Sequence, residues 1–331
     1  MANLFSGVGS GSATGQGTLV ALTHALRTVY SDEIYLKALP VMKFEQFATR
    51  RLELGTQPGK QIDILKAEPI KRGKTYTETE IIESNRMALT TQSITVAEAA
   101  NALGFSEYLL QTSFFEQMEL ATTMLGRDYA MFMDIQLRDT VLGNTTNILY
   151  GTENRAAISD VTSTDYLTTD IVRWAVEKME IVNAPKFGGD AYVSMIHPHQ
   201  ARWIRKDPDW VNAQLYSGVT GIFTSEIGRF EDTRFGVTTM MTQGADDTYE
   251  EYALQYTPSY DSTLAGTGAS GADLYTAIFF AEDAYAYAVG LPVELRDDGV
   301  QNFGRFHKLA WYLIIGFARL NETFIARAIT G

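Results

Sequence analysis

An α+β fold is predicted for this 331-residue chain, on three observations. Apolar side chains are 45% of it, enough to bury one large core or two modest ones. Its 27 glycines and 17 tyrosines, beside charged residues at only 20%, favour many strands and turns. Apolar residues also recur at helical steps in two long windows, and alternate or run unbroken in several short ones. The formal charge of −13 repels a phosphate backbone, which excludes a groove-reading nucleic-acid binder. With no cysteine there are no disulfides, thiolate nucleophiles, zinc knuckles or iron–sulfur clusters. Residues 1–18 lack the basic and apolar regions of a signal peptide. The longest apolar run, Leu309 to Leu320, carries Arg319 and falls short of the roughly 20 residues a membrane span needs.

The chain opens on Gly7, Gly9, Gly11, Gly15 and Gly17 among serines and threonines, the composition of a flexible arm. A phosphate-binding loop would need a preceding strand and a Gly-Lys-Ser/Thr ending, and neither is there. Leu19 to Leu39 fits a short helix and an extended continuation, stopped by Pro40. Residues 61–66 alternate as a strand and residues 87–97 read as its partner, so the two make a long hairpin with a polar, charged tip. From Lys60 to Arg86 the charges sum to +1, a mixture suited to a protein partner or to a plain solvated hairpin. From Ser113 to Leu142 apolar residues follow three- and four-residue steps without proline, predicting a helix of about 45 Å, with Gly143-Asn144 as its stop. Thr168-Thr169-Asp170 caps a second helix through Asn183. Residues 191–196 are then a strand, and 199–205 a short helix ended by Asp207-Pro208. Two strands, 221–227 and 235–241, flank a charged turn from Arg229 to Arg234, and 257–273 make a turn-rich loop. Leu274 to Phe280 is a buried strand, Ala284 to Val289 a small-residue element of helical character, and Leu309 to Ile329 a final strand with a bulge at Gly316.

Catalytic signatures are sparse. His197 and His199, separated by Pro198, are the one pair resembling a metal site, but they lack a third ligand; the alternative is that Pro198 turns the chain from strand to helix, with His197 in the turn and His199 near the N-cap. No Gly-x-Ser-x-Gly elbow or Ser-x-x-Lys occurs. The carboxylate pairs Asp246-Asp247, Glu250-Glu251 and Glu282-Asp283 are the remaining acid–base candidates. Between Asp207 and Glu251 the charge is −7, read as an exposed acidic face or a weak cation site. These residues give no catalytic, cofactor-binding or metal signature, while the carboxylate pairs and the weak cation site stay open.

The order of parts is distinctive: flexible arm, charged hairpin, spine helix, α/β insertion, closing strand. Together with Met195-Ile196-His197-Pro198, the run from Arg202 through Trp203, Arg205, Asp207-Pro208-Asp209 and Trp210, and Tyr216, Gly221-Ile222 and Gly228-Arg229-Phe230-Glu231, it resembles the major capsid (coat) proteins of tailed bacteriophages. The resemblance implies the Hong Kong ninety-seven type coat fold. Residues 1–50 would be the N-terminal arm, 51–88 the extended loop lying across a neighbouring subunit, 89–185 the peripheral domain with its spine helix at 113–142, 186–291 the axial domain, and 292–331 the return to the peripheral domain. It further implies a structural protein, not an enzyme, that assembles as hexamers and pentamers into an icosahedral virion shell around double-stranded DNA, in the host cytoplasm. Its partners would be itself, a scaffolding protein, a portal and a decoration protein, with no membrane. Inter-subunit contacts are expected at the tip, from Lys71, Arg72, Lys74, Glu78, Glu80 and Glu83. An encapsulin-like cellular shell is the alternative within the fold. A hydrolase built on His197, His199 and the acidic stretch is the alternative outside it.

Overall fold

A computed structural model describes residues 43–53, 59–67, 70, 72–79, 81–82, 84–112, 117–144, 146–152, 155–217, 226–241 and 268–331. The expected glycine-rich arm, the helix and extended run at 19–39, and most of the 257–273 loop lie outside these residues. The chain divides into two compact units. One contains Glu98–Tyr129 and Pro292–Leu313; the other contains Met42–Ala97, Ala130–Leu291 and Ile314–Gly331.

The larger unit is built on a six-stranded sheet. Its strands are β5 (Ile148–Tyr150), β6 (Tyr192–Ile196), β7 (Glu226–Phe230), β8 (Thr233–Val237), β9 (Tyr275–Phe280) and β12 (Ile325–Thr330), in spatial order β5-β12-β9-β6-β8-β7. β12 runs antiparallel to β9 and parallel to β5, while β6 runs antiparallel to β9 and parallel to β8. Every residue of β6 and β9 is buried, so both faces of the sheet centre are covered, and these strands read as apolar runs without alternation. Helix α3 (Thr169–Ile181) contributes Ile171, Val172, Ala175, Val176 and Met179 to this core, where they join Trp210, Phe235 and Phe279. Each of the larger aliphatic and phenylalanine side chains among them stabilises the fold by roughly 1.5–3 kcal/mol on burial.

The expected cap of α3 is placed correctly but made differently. Thr168 occupies the N-cap position without a side-chain bond. The Asp207 carboxylate takes over, accepting from the Thr169 amide (3.0 Å) and hydroxyl (2.9 Å) with one oxygen and from the Asp209 amide (3.1 Å) with the other. Asp209 lies in the first turn of α5 (Pro208–Ser217), so one carboxylate serves two helix starts. This ten-residue helix was not expected: Asp207-Pro208 looked like the end of α4 (Pro198–Ile204), but Pro208 is the first residue of the next helix, a position where proline is favoured.

Other expectations are corrected in the same region. The turn between β7 and β8 is not Arg229 to Arg234 but the two residues Glu231 and Asp232, both at positive φ (40° and 58°), which extends the strands to pair Arg229 with Arg234. Ala284 to Val289 is not helical; it begins β10 (Tyr285–Gln301), whose first residues are all buried and therefore show no alternation. The final apolar segment is two strands, β11 (Phe306–Arg319) and β12, parted by a 3-10 turn at Glu322–Phe324. At Gly316 a Cβ would strike the carbonyl of Thr95, a close backbone approach that requires glycine.

The expected hairpin is present as β2 (Gln61–Ala67) and β3 (Leu89–Thr95), antiparallel and in register from Gln61 opposite Thr95 to Ala67 opposite Leu89. One face carries Ile62, Ile64 and the fully buried Ile94 against Ala286, Ala288 and Leu320. Lys66 on that face donates to Asn321 Oδ1 at 2.7 Å, and partial burial lowers its pKa. The long helix is described as α2 (Gln117–Leu142), 26 residues and about 39 Å, with α1 (Glu107–Thr112) before it; residues 113–116, where the helix was expected to begin, lie outside the described residues. Past its end, the guanidinium of Arg319 fills the space beside Gly143, and Arg327 donates to the Leu142 carbonyl (3.3 Å), placing cations at the negative end of the helix. The buried Asp134 on α2 accepts from the amides of Lys43 and Phe44 (both 2.9 Å), and the Tyr285 hydroxyl donates to the Phe44 carbonyl (2.7 Å), fixing the chain where its described part begins. A short strand, β1 (Thr49–Arg51), then pairs in parallel with β10.

In the smaller unit the distal parts of β10 and β11 continue the sheet to β4 (Ala97–Ser106). Its core centres on the buried Trp311, whose indole donates to Asp128 Oδ2 (2.7 Å), an oxygen that also accepts from the Asn101 amide (2.8 Å). Tyr129 meets the same indole edge to face.

Burial alone would raise the Asp207 pKa, but the three donors and Arg173 outweigh it and hold the group below its usual range. The stabilisation is therefore complete above that range, near pH 4, and is lost as pH falls through the lower folded value. Asp207→Ala, which removes both caps, is expected to lower stability by about 1–4 kcal/mol at neutral pH. Urea unfolding at neutral pH and at about pH 3 checks this, with the gap between wild type and variant narrowing in acid.

Candidate interaction surfaces

The excursion between β2 and β3 has no helix or strand among its described residues, apart from the strand ends themselves. Of the six charged residues expected to meet a neighbour, Arg72, Lys74 and Glu78 are described and exposed; Lys71, Glu80 and Glu83 fall outside the described residues. The Lys74 ammonium lies 5.0 Å from the Tyr76 ring centroid, a contact that orders the tip locally. Charge is only half of this surface. Leu65, Ile70, Ile82, Met87 and Leu89 are all more than half exposed, and Ile81 is 86% exposed. Sequence reasoning passed over them because Ile81-Ile82 sits inside a charged run. A pair of isoleucines between carboxylates, in a segment with no core to enter, was the available signal. Exposed apolar residues gathered in one excursion mark a surface that another molecule covers.

The histidine pair is structurally employed. His197 is the N-cap of α4: its Nδ1 accepts from the His199 amide (3.2 Å), and Gln200 Oε1 accepts in return from the His197 amide (3.1 Å), closing a capping box. His199 Nε2 accepts from the Trp203 indole (3.1 Å), and both imidazoles stack on Tyr275, at 5.0 and 4.3 Å. Burial, then the charge of Arg202, lowers the His199 pKa and keeps it neutral. Among the described residues no group of three or more histidines and carboxylates is arranged to hold a metal ion.

Where it is described, the stretch counted as −7 has several of its acids in ion pairs, some with cations from outside it. Arg173, from α3, grips Asp170 (2.7 Å), Asp209 (2.8 Å) and Glu231 (2.8 Å). Those three partners, Asp209 foremost, raise its pKa further above its already high value. Arg229 and Arg234, opposed across the β7–β8 pair, would repel. Asp190 bridges them at 2.8 and 2.5 Å and is held below its usual pKa by Arg234 first and Arg229 second. Asp232 pairs with Arg229 (3.0 Å) and Lys186 (2.8 Å). The balancing cations Arg173 and Lys186 precede the acidic window in sequence, so a windowed count omits them. Asp246, Asp247, Glu250 and Glu251 lie outside the described residues.

Among the described residues of the smaller unit, Tyr108, Leu109, Leu120, Met124 and Phe303 are the exposed large apolar ones. Tyr108 and Leu109 follow Glu107, whose amide donates to the Arg305 carbonyl (2.9 Å) and whose carboxylate meets His307 Nε2 at 2.9 Å.

His197→Ala is expected to cost about 1 kcal/mol through loss of the cap, with His197→Asn retaining most of it. Thermal unfolding of both variants, and of the wild type with and without added zinc, checks the assignment. Zinc is expected to leave the wild-type midpoint unchanged.

No protein-family model matches the chain, and no curated protein matches it in sequence. Solved structures do match it. A chain of the cyanophage Pam1 capsid aligns over 86% of this chain and 88% of its own, at 10% identity and a TM-score of 0.69. One from the capsid of Ralstonia phage GP4 aligns over 86% and 87%, at 15% identity and 0.65. One from the capsid of cyanophage P-SCSP1u aligns over 88% of both, at 12% identity and 0.62. The expected α+β coat fold of the Hong Kong ninety-seven type is the fold of this chain.

Proposed function

We propose that this chain, folded as tailed-phage capsid proteins are, is a major capsid protein whose copies associate as hexamers and pentamers into an icosahedral head enclosing double-stranded DNA. The observation that carries the reading is the alignment of more than four-fifths of the chain with capsid chains of nearly the same extent. Its role is structural, and its place is the virion. A scaffolding protein and a portal are its assembly partners, and a decoration protein binds the finished shell.

The chemistry of association rests on the surfaces. In this reading residues 51–88 lie across a neighbouring subunit. Lys71, Arg72, Lys74, Glu78, Glu80 and Glu83 set the register of that contact, since exposed charge pairs discriminate between alignments more than they add affinity. Ile70, Ile81, Ile82 and Met87 supply the affinity, each worth roughly 1.5–3 kcal/mol if fully buried. Residues 186–291 form the axial part, and α2 is the spine of the peripheral part. Many modest contacts per subunit, repeated around a closed shell, hold the assembly together. The net charge of −13 keeps copies from binding the packaged DNA tightly.

Size-exclusion chromatography and negative-stain microscopy of the expressed chain, alone and with a scaffolding protein, test the proposal. Shells, tubes or hexamer-sized rings are expected, and a monomer under both conditions overturns it. The double variant Ile81→Asp, Ile82→Asp is expected to raise the concentration at which assembly begins. Its isolated subunit should unfold within about 0.5 kcal/mol of wild type, as for substitutions of exposed residues that pack on nothing.

A further inference from the structure

The turn joining β10 to β11 contains Asn302, Phe303 and Gly304 at successive positive φ values of 49°, 57° and 93°. Asparagine and glycine suit such a backbone; phenylalanine does not, because its Cβ crowds the flanking peptide groups there. The ring gains nothing in exchange within its own chain, since Phe303 is fully exposed, at 106% of its reference surface. A strained backbone and an unburied aromatic at one residue are both unfavourable in the free subunit, and a partner that covers the ring offsets both.

We propose that Phe303 is an inter-subunit anchor that packs onto Tyr108 and Leu109 of a second copy of this chain. Two features single out a second copy. The first is charge. The whole molecule carries −13, so copies repel at long range, yet from Pro292 to Leu313 the acids Glu294, Asp297 and Asp298 are balanced by Arg296, Arg305 and Lys308. Like chains meet with least repulsion where each is locally neutral and carries both signs. The second is the placement of the receiving surface. Tyr108 and Leu109, both exposed, are tied to the base of the turn by the Glu107 amide to Arg305 carbonyl bond and by the Glu107–His307 pair. Projecting ring and receiving patch thus lie at the same end of the unit.

This inference rests on the coat-protein reading, and the test separates the two. The onset concentration for assembly is measured by light scattering and microscopy for wild type, Phe303→Gly, Phe303→Tyr and the double variant Tyr108→Ser, Leu109→Ser. Thermal midpoints are measured below the onset. Phe303→Gly is expected to raise the onset at least tenfold while leaving the subunit's midpoint unchanged or higher, because glycine adopts the turn without strain. Phe303→Tyr should assemble as wild type does, and the double variant should match Phe303→Gly. Assembly of Phe303→Gly at the wild-type concentration overturns the proposal, as does a lowered midpoint, which would place the ring's contacts within its own chain. An unchanged onset in the double variant overturns the receiving surface. Failure of the wild type itself to assemble overturns the coat-protein reading, and is seen before any variant is compared.

Discussion

Strand β12 holds the larger unit together. It lies between β5 and β9, pairing Arg327 with Ile148 on one side and Ile325 to Thr330 with Phe280 to Tyr275 on the other. Five of its six residues are buried, and Ala326 and Ala328 belong to the same core as α3 and β6. Without it β5 has no partner strand and β9 exposes an edge, so neither face of the sheet can be closed. Its pairing with β5 joins segments separated by well over a hundred residues. Such contacts come late in folding, because the loop entropy must be met before they contribute.

In both units single carboxylates, buried at Asp134 and Asp165 and half-buried at Asp128 and Asp207, do much of the connecting. Asp207 joins the starts of α3 and α5. Asp128 is shared by Trp311 and Asn101, and Asp134 holds the amides of Lys43 and Phe44. Asp165 accepts from Arg155, from the amide and hydroxyl of Thr162, and from Thr152, all within one loop. Two of these show how environment decides ionisation. Burial pushes both upward; at Asp165 the ion pair and three further donors reverse it and hold the group far below its usual range, whereas at Asp134 two amides and more distant cations leave it raised.

The contrast between interior and surface bears on assembly. Inside, apolar side chains interlock. Outside, the β2–β3 excursion and the β10–β11 turn leave isoleucine, methionine and phenylalanine in water, on protruding parts and not over the core. On the proposed reading these side chains are covered only when copies align, and the net charge of −13 keeps free copies apart.

Residue order alone specifies the elements whose burial is one-sided or whose length exceeds their neighbours: α2, α3, the β2–β3 hairpin, and β6 and β9 as short apolar runs. Periodicity is a local record of which side of a segment faces the core, so it survives without knowledge of the partner. The strand-to-helix change at Pro198 was legible because proline cannot extend the strand and suits the first turn of a helix, but the cap itself was expected near His199 and is made by His197. The tip charges were legible, but the isoleucines beside them were not, because exposure depends on what fails to pack there. β10 was misread because all of Tyr285 to Val289 is buried, which erases alternation, and α5 because a proline opens a helix as readily as it ends one. Which cation answers which acid was settled only in the folded chain: Arg173 and Lys186, from outside the stretch that looks acidic when counted alone, pair with its acids, and Asp207 caps a helix 38 residues before it. Such partners are distant along the chain, and electrostatic and hydrogen-bonding demands are met by whatever the fold brings near.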